Sequence, residues 1–279
     1  MSEPTDNSQM VEDVWRTYLT TGQPPHYVPL PWYMAPAART WMRRLPSNPR
    51  CRLCFAPFSG PGGTLVRVAL GLNPSRLNPQ ICDMCERFVH EFQGGAEVEV
   101  SVLFADVRGS TALAQRMAPA EFSQLIGRFF QAATEVLHRH HGLVEKLIGD
   151  EATGFFVSGM AGPNHARVAL LAAREILEAT GHGGPDEPWL PVGVGVHTGT
   201  AFVGSVGAAG SGGAADIVVL GDVPNTGARL ASLAAAGQIL ASETTITLAE
   251  WDTTNLEPCR LELKGRSEPL AAWTIQANG

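Results

Sequence analysis

Two aspartates stand where a divalent cation could be held. Asp106 follows an apolar segment that ends at Phe104, and Asp150 follows Gly149 at the tip of a predicted hairpin. Magnesium prefers one or two carboxylates together with phosphate oxygens of a bound substrate. Considered singly, Asp106 is equally well explained as a helix cap and Asp150 as a turn residue. A metal site therefore requires that the fold bring both carboxylates together.

The segment after Asp106 has the composition of an anion-binding turn. Gly109 permits a sharp change of direction, and Ser110 and Thr111 open a predicted helix. The first N–H groups of a helix lack partners within the helix and can bind phosphate.

Two further segments carry groups suited to a nucleotide. Pro224 is tolerated in the first turn of a helix that Asp222 would cap, and Asn225 and Arg229 then project from one face. An amide beside a guanidinium suits a ribose and a phosphate, although a solvent-exposed face is the commoner explanation. Lys264 ends a predicted strand, where a lysine ordinarily serves only solvation.

Hydrophobic periodicity predicts the elements around these residues. The expected helices cover 122–137, 165–180 and 222–236, and a hairpin covers 143–157. The expected strands are 98–104, two short strands within 192–206 around His197, and strands near 238–241, 258–264 and 271–276. This order predicts an α+β fold with helices on one face of a mainly antiparallel sheet.

Five segments in this order resemble one known family, the catalytic domain of class III adenylyl and guanylyl cyclases. They are Phe-Ala-Asp-Val-Arg-Gly-Ser-Thr at 104–111, Lys-Leu-Ile-Gly-Asp at 146–150, Val-Gly-Val-His-Thr-Gly at 194–199, Leu-Gly-Asp-Val-Pro-Asn-Thr-Gly-Ala-Arg-Leu at 220–230 and Leu-Lys-Gly-Arg at 263–266. The resemblance covers about residues 96–279. It implies a ferredoxin-like cyclase domain that converts ATP to 3′,5′-cyclic AMP and pyrophosphate in cyclic-nucleotide signalling.

The resemblance also implies residue roles. Asp106 and Asp150, with the main-chain carbonyl of Val107, would bind two Mg²⁺ or Mn²⁺ ions. The implied substrate contacts are Lys146 to the base, Asn225 to the ribose, Arg229 to the α-phosphate, Lys264 to the terminal phosphates, and the backbone of Gly109, Ser110 and Thr111 to the phosphates.

The spacing of Lys146 and Asp150 bears on assembly. Four strand residues separate them by about 13 Å, which is long for two contacts around a single nucleotide. The family solution is a head-to-tail dimer in which each site takes its acids from one subunit and Lys146, Asn225, Arg229 and Lys264 from the other. Because this chain carries both halves, we expect a homodimer with two equivalent sites.

One position departs from the family pattern. Three residues before Gly221 the family usually places Asp or Thr against the purine, and this chain has Val218, whose side chain forms no hydrogen bond. Lys146 favours ATP, since guanylyl cyclases usually carry Glu there. A guanylate or mixed-specificity cyclase is one alternative. A non-catalytic nucleotide-binding regulatory domain is another, although the chain keeps both aspartates, Asn225 and Arg229.

The segment before the cyclase-like region is a separate module by composition. Residues 26–95 contain eight arginines and three acidic residues, whereas the whole chain has a net charge of −7. Cys51, Cys54, Cys82 and Cys85 form two CxxC pairs, a spacing that predicts a four-thiolate zinc site or, alternatively, an iron–sulfur cluster. We therefore divide the chain into a flexible leader (1–25), a small zinc-ribbon-like module (26–95) with a loop at 58–64, and the cyclase domain (96–279).

Other expectations concern location and partners. No apolar run is long enough to span a bilayer and the N-terminal segment is polar, so the expected location is cytoplasmic. Five arginines between 39 and 52 permit a zinc-ribbon nucleic-acid binder as a further alternative, although the chain as a whole is acidic. His197, Cys259 and the histidines of the 138–141 segment are expected to have structural roles.

Overall fold

The computed structural model describes residues 6–28, 35–46, 49–207, 215–262 and 268–277. The helices within these ranges are α1 Asp6–Thr21, α2 Pro36–Arg44, α3 Gly60–Leu70, α4 Asp83–Glu91, α5 Ser110–Arg116, α6 Pro119–Arg139, α7 Ser158–Ala161, α8 His165–Ala179, α9 Asp222–Leu233 and α10 Glu243–Leu248. The strands are β1 Gly95–Val107, β2 Leu143–Ile148, β3 Glu151–Phe156, β4 Val192–Gly207, β5 Ala215–Leu220, β6 Gln238–Ser242, β7 Glu257–Leu261 and β8 Leu270–Gln276.

The chain forms two compact units. The first, here called the cysteine unit, contains the described residues up to Val98 together with Ser158–Met160 and Phe202–Leu220. The second, here called the sheet unit, contains Glu99–Val157, Ala161–Ala201 and the described residues from Gly221 onward. The proposed division at residue 95 thus differs from the division by contacts, since two later segments fold with the cysteines.

The sheet unit is built on strands in the order β2-β3-β1-β4-β6-β8-β7. The pairs β1–β3, β2–β3, β6–β8 and β7–β8 are antiparallel, whereas β4–β6 is parallel. This agrees with the mainly antiparallel sheet that the sequence predicts. The hairpin β2–β3 turns at Gly149 and Asp150 as expected, with Gly149 in the left-handed region at φ +63°.

Helices pack on both faces of this sheet, not on one face as expected. Alternate residues of β1, among them Leu103 and Ala105, belong to the main core with α6 and α8. Val102 and Phe104 point to the other face, where they meet Gly227 of α9. Period-two alternation therefore predicts the strand but not how many of its faces are covered.

Two glycines let α9 lie directly on the sheet. A Cβ added to Gly195 of β4 would lie 2.2 Å from the backbone nitrogen of Ala231 and 2.4 Å from the carbonyl oxygen of Gly227. A Cβ on Gly227 would lie 2.8 Å from the side chain of Val102. This close approach fixes the position of the helix that carries Asn225 and Arg229.

Two local predictions are wrong. The segment 192–206 is one continuous strand, β4, and not two short strands. The predicted loop at 58–64 contains the start of α3, whose first turn includes Pro61. Gly62 and Gly63 face backbone atoms less than 3 Å from an added Cβ, so these glycines serve packing and not a loop.

The predicted flexible leader is also wrong within its described part. Residues 6–21 form α1, in which Trp15 and Tyr18 are fully buried. The indole nitrogen of Trp15 donates to the carbonyl oxygen of Phe92 at 2.7 Å, and both rings pack on Phe88. Charge composition suggested a solvated leader, but the apolar stripe Val14, Tyr18 and Leu19 is what positions the segment.

None of the helices in the described part of the chain is both long and apolar enough to cross a membrane.

We predict that Gly195→Ala destabilises the protein by about 1–3 kcal/mol, because backbone atoms of α9 cannot move aside cheaply. Gly127→Ala is the matched control: Gly127 lies on the exposed side of α6 with open space around its Cα, and alanine there should stabilise by about 0.5–1 kcal/mol. Chemical unfolding of both variants measures the difference. Equal stabilities would contradict the close contact between β4 and α9.

Candidate active site

The two aspartates lie side by side at one end of the sheet. The β1–β3 register pairs Asp106 with Glu151, the residue that follows Asp150. The backbone N–H of Val107 donates to the carbonyl oxygen of Asp150 at 3.2 Å. Both aspartates are half-buried. The pairing of β1 with β3 thus places Asp106 next to the turn that carries Asp150, and the binding of Mg²⁺ or Mn²⁺ by their carboxylates stays a prediction.

Arg108 is a charged neighbour that the sequence analysis missed. Its guanidinium forms an ion pair with the Asp106 carboxylate, and its Nη1 donates to the carbonyl oxygen of Ser232 in α9 at 3.0 Å. Burial lowers the pKa of Arg108, while Asp150 and Glu151 oppose this shift. Residues two apart at a strand end share a face, so the spacing of Asp106 and Arg108 was the available signal.

Glu151 adds a third carboxyl group at this place. Burial raises its pKa; Asp150 also raises it, whereas a hydrogen bond from Thr153 and the charge of Arg108 lower it. The site therefore carries several acidic groups, and Arg108 is the neighbouring cation that acts on the pKa of Glu151.

The turn after Asp106 has the predicted geometry. Gly109 adopts φ +68° in the left-handed region and immediately precedes α5. Ser110 is half-buried and Thr111 is exposed in the first turn of this helix. The phosphate-binding role of this turn stays a prediction.

Asn225 and Arg229 lie one turn apart on α9. The Asn225 side chain is exposed, and its Nδ2 donates to the carbonyl oxygen of Gly221 at 3.1 Å. Arg229 is half-buried. The helix begins at Asp222 with Gly221 as its N-cap, so the predicted cap is displaced by one residue.

The structure places the two predicted base-contacting residues, Lys146 and Val218, on different strands. Lys146 lies exposed on β2, next to a register shift in its pairing with β3, and its Nζ is 3.9 Å from Glu145. Val218 belongs to the cysteine unit, where it lies half-buried on β5 and pairs with Gly204. The Asp216 carboxylate accepts a hydrogen bond from the next backbone N–H at 3.0 Å. Lys264 lies outside the described residues.

The four cysteines converge as predicted. All four Sγ atoms lie within 4.8 Å of one another, and all four side chains are fully buried. Cys51 and Cys54 lie in a turn, whereas Cys82 is the N-cap of α4 and Cys85 lies in its first turn. Around the cysteines, the described residues form helices and isolated bridges, and α4 carries the second pair, Cys82 and Cys85.

Residues expected to be structural do have ordinary partners. His197 Nδ1 lies 2.7 Å from the Ser242 hydroxyl, and His140 Nε2 lies 2.5 Å from the Glu175 carboxylate. Although burial of Glu175 raises its pKa, the hydrogen bond from His140 and the charge of Arg139 leave that pKa lowered overall.

Comparison with known proteins agrees with this arrangement. The model of the adenylate and guanylate cyclase catalytic domain matches residues 94–276, and the chain therefore belongs to this family. In the sequence comparison, the uncharacterized protein Rv1318c of Mycobacterium tuberculosis is 35% identical over 158 residues, 56% of this chain, and Rv1319c of the same species is 33% identical. The matches cover 28% of each of these two proteins' own length.

Solved structures share the fold. The guanylyl cyclase Cya2 has a TM-score of 0.56 at 26% identity, covering 66% of this chain and 94% of Cya2. The adenylyl cyclase CyaB of P. aeruginosa has a TM-score of 0.55 at 22% identity, covering 65% of this chain and 95% of CyaB. The neighbours thus include cyclases of both substrate classes.

We predict that Arg108→Gln tightens Mn²⁺ binding about three- to fivefold, because a partly exposed ion pair that competes with the cation contributes about 0.5–1 kcal/mol. Binding is measured by electron paramagnetic resonance of free Mn²⁺. Arg116→Gln, an exposed arginine on α5, is the control and should leave the affinity unchanged. Weaker binding in Arg108→Gln would show instead that Arg108 orients Asp106.

Proposed function

We propose that the protein is an adenylate cyclase that converts ATP to 3′,5′-cyclic AMP and pyrophosphate in cyclic-nucleotide signalling, with a cytoplasmic location. The observation that carries the proposal is that strand pairing places Asp106 opposite Glu151 and next to Asp150, on a family domain that also retains Asn225 and Arg229. A degenerate, non-catalytic domain would be expected to have lost one of these four groups.

The proposed chemistry needs no protein nucleophile. Two divalent cations held by Asp106 and Asp150 would lower the pKa of the 3′-hydroxyl and neutralise the departing pyrophosphate. Asn225 would orient the ribose, and the Arg229 guanidinium would neutralise charge that develops on the α-phosphate. Lys264 and the backbone of Gly109, Ser110 and Thr111 would bind the remaining phosphate oxygens.

ATP is the proposed substrate because Lys146 occupies the base-contacting position. The second candidate is a guanylate or mixed-specificity cyclase, which Val218 favours because its side chain neither donates nor accepts a hydrogen bond. A half-buried valine removes polar discrimination at that strand position, so selection would depend on Lys146.

We predict cyclic AMP as the main product when the purified protein is given ATP and GTP together, with Mg²⁺ or Mn²⁺. Chromatography of the products measures the preference. Predominance of cyclic GMP would overturn the choice of ATP, and the absence of both products, with nucleotide still bound, would favour the regulatory-domain alternative.

The proposed active form is a head-to-tail homodimer with two shared sites. The proposal is supported by the separation of Lys146, which lies exposed on β2, from Asp150, which lies in the turn after that strand. In such a dimer one subunit supplies Asp106 and Asp150, while its partner supplies Lys146, Asn225, Arg229 and Lys264.

We predict that mixing Asp106→Ala with Arg229→Ala restores about a quarter of wild-type activity, since half of the dimers are mixed and each has one intact site of two. Mixing Asp106→Ala with Asp150→Ala is the control and should restore none, because both changes lie in the same half of the site. Activity from the control, or none from the first mixture although mixed dimers form, would contradict shared sites.

We also propose that the four-cysteine cluster binds a metal. Its spacing in two CxxC pairs and the convergence of its buried sulfurs support zinc as the occupant, with an iron–sulfur cluster as the alternative.

A further inference from the structure

The distances among the four cysteines distinguish a single ion from a cluster. Zinc–sulfur bonds of about 2.3 Å place the sulfurs of a tetrahedral site about 3.8 Å apart. The Sγ atoms of Cys54 and Cys82 lie 3.7 Å apart, and no two of the four are separated by more than 4.8 Å. An iron–sulfur cluster spreads its thiolates over several irons, so its farthest sulfurs would lie about 6 Å apart. The cysteines are therefore spaced for one ion.

Backbone groups around the sulfurs suit thiolates. The N–H of Cys82 donates to Cys51 Sγ at 3.3 Å, and the N–H of Cys85 donates to Cys82 Sγ at 3.4 Å. Hydrogen bonds to an ionised acceptor are stronger than those to a neutral one. The turn that bears Cys51 and the N-terminus of α4 thus meet at the sulfurs.

The cysteine site is connected to strand β5 through α4. Cys82 and Cys85 begin this helix, and Phe88 on the next turn packs on Trp15 and Tyr18. The same helix lies against β5, the strand that carries Val218. All of these elements belong to the cysteine unit. A change at the sulfurs therefore reaches β5 through a single short helix.

We propose that Cys51, Cys54, Cys82 and Cys85 hold one zinc ion, and that this ion fixes α4 as the support of strand β5. Neither the zinc content nor the support of β5 rests on the proposed cyclase function.

The test compares the wild-type protein with Cys85→Ser, using Cys259→Ser as the matched control because Cys259 is outside the cluster. Metal analysis should find about one zinc per wild-type chain and per Cys259→Ser chain, with no iron or acid-labile sulfide. Cys85→Ser should lose most of its zinc. Iron together with acid-labile sulfide would overturn the single-ion assignment, and iron without sulfide, or a wild-type protein that takes up no zinc, would overturn the choice of zinc.

The exchange rate of the backbone amides of residues 215–220, measured by hydrogen–deuterium exchange without nucleotide, shows whether α4 holds β5 in place. Exchange there should become at least tenfold faster after a chelator removes zinc from the wild-type protein, and return when zinc is added back. This measurement does not depend on the folding of Cys85→Ser. Unchanged exchange in the zinc-free protein would overturn the proposed role of α4.

A zinc-loaded protein with protected β5 but no cyclase activity would count against the proposed function alone.

Discussion

The fold of the site must offset the electrostatic repulsion between acidic side chains that lie close together. Antiparallel pairing of β1 with β3 holds Asp106 and Asp150 at one end of the sheet, with Glu151 beside them. The pKa of Glu151 is raised, chiefly because the group is partly buried and further because the Asp150 carboxylate lies nearby. Arg108 offsets part of this repulsion. The same excess of negative charge would favour divalent cations.

The second constraint is the distance between α9 and the sheet. Asp106 and Arg108 share strand parity with Phe104, whose ring contacts α9 through Gly227, and Arg108 also hydrogen-bonds to Ser232 at the end of that helix. The position of the helix that carries Asn225 and Arg229 is thus fixed against β1, the strand that carries Asp106. Small residues at Gly195 and Gly227 make this arrangement possible, since larger ones would separate the helix from the sheet.

Much of this could be predicted from local patterns, and the rest depended on long-range packing. The hairpin, the amphipathic helices and the convergence of two CxxC pairs follow from periodicity and spacing within short segments. The ion pair of Arg108, the continuous β4 and the burial of α1 could not be predicted in this way. Each depends on partners distant in sequence, such as Phe92 for Trp15. The glycine-rich segment 58–64 was wrongly predicted to be a loop, because glycine permits close packing as well as turns.

Two of the arginines that make residues 26–95 basic bind backbone carbonyl oxygens of the protein itself. Arg39 and Arg50 direct their guanidinium groups to backbone carbonyls, and Arg39 is almost completely buried. Hydrogen bonds to carbonyl oxygens offset part of the cost of taking a guanidinium out of water. A surface for nucleic acid is not needed to account for these two residues.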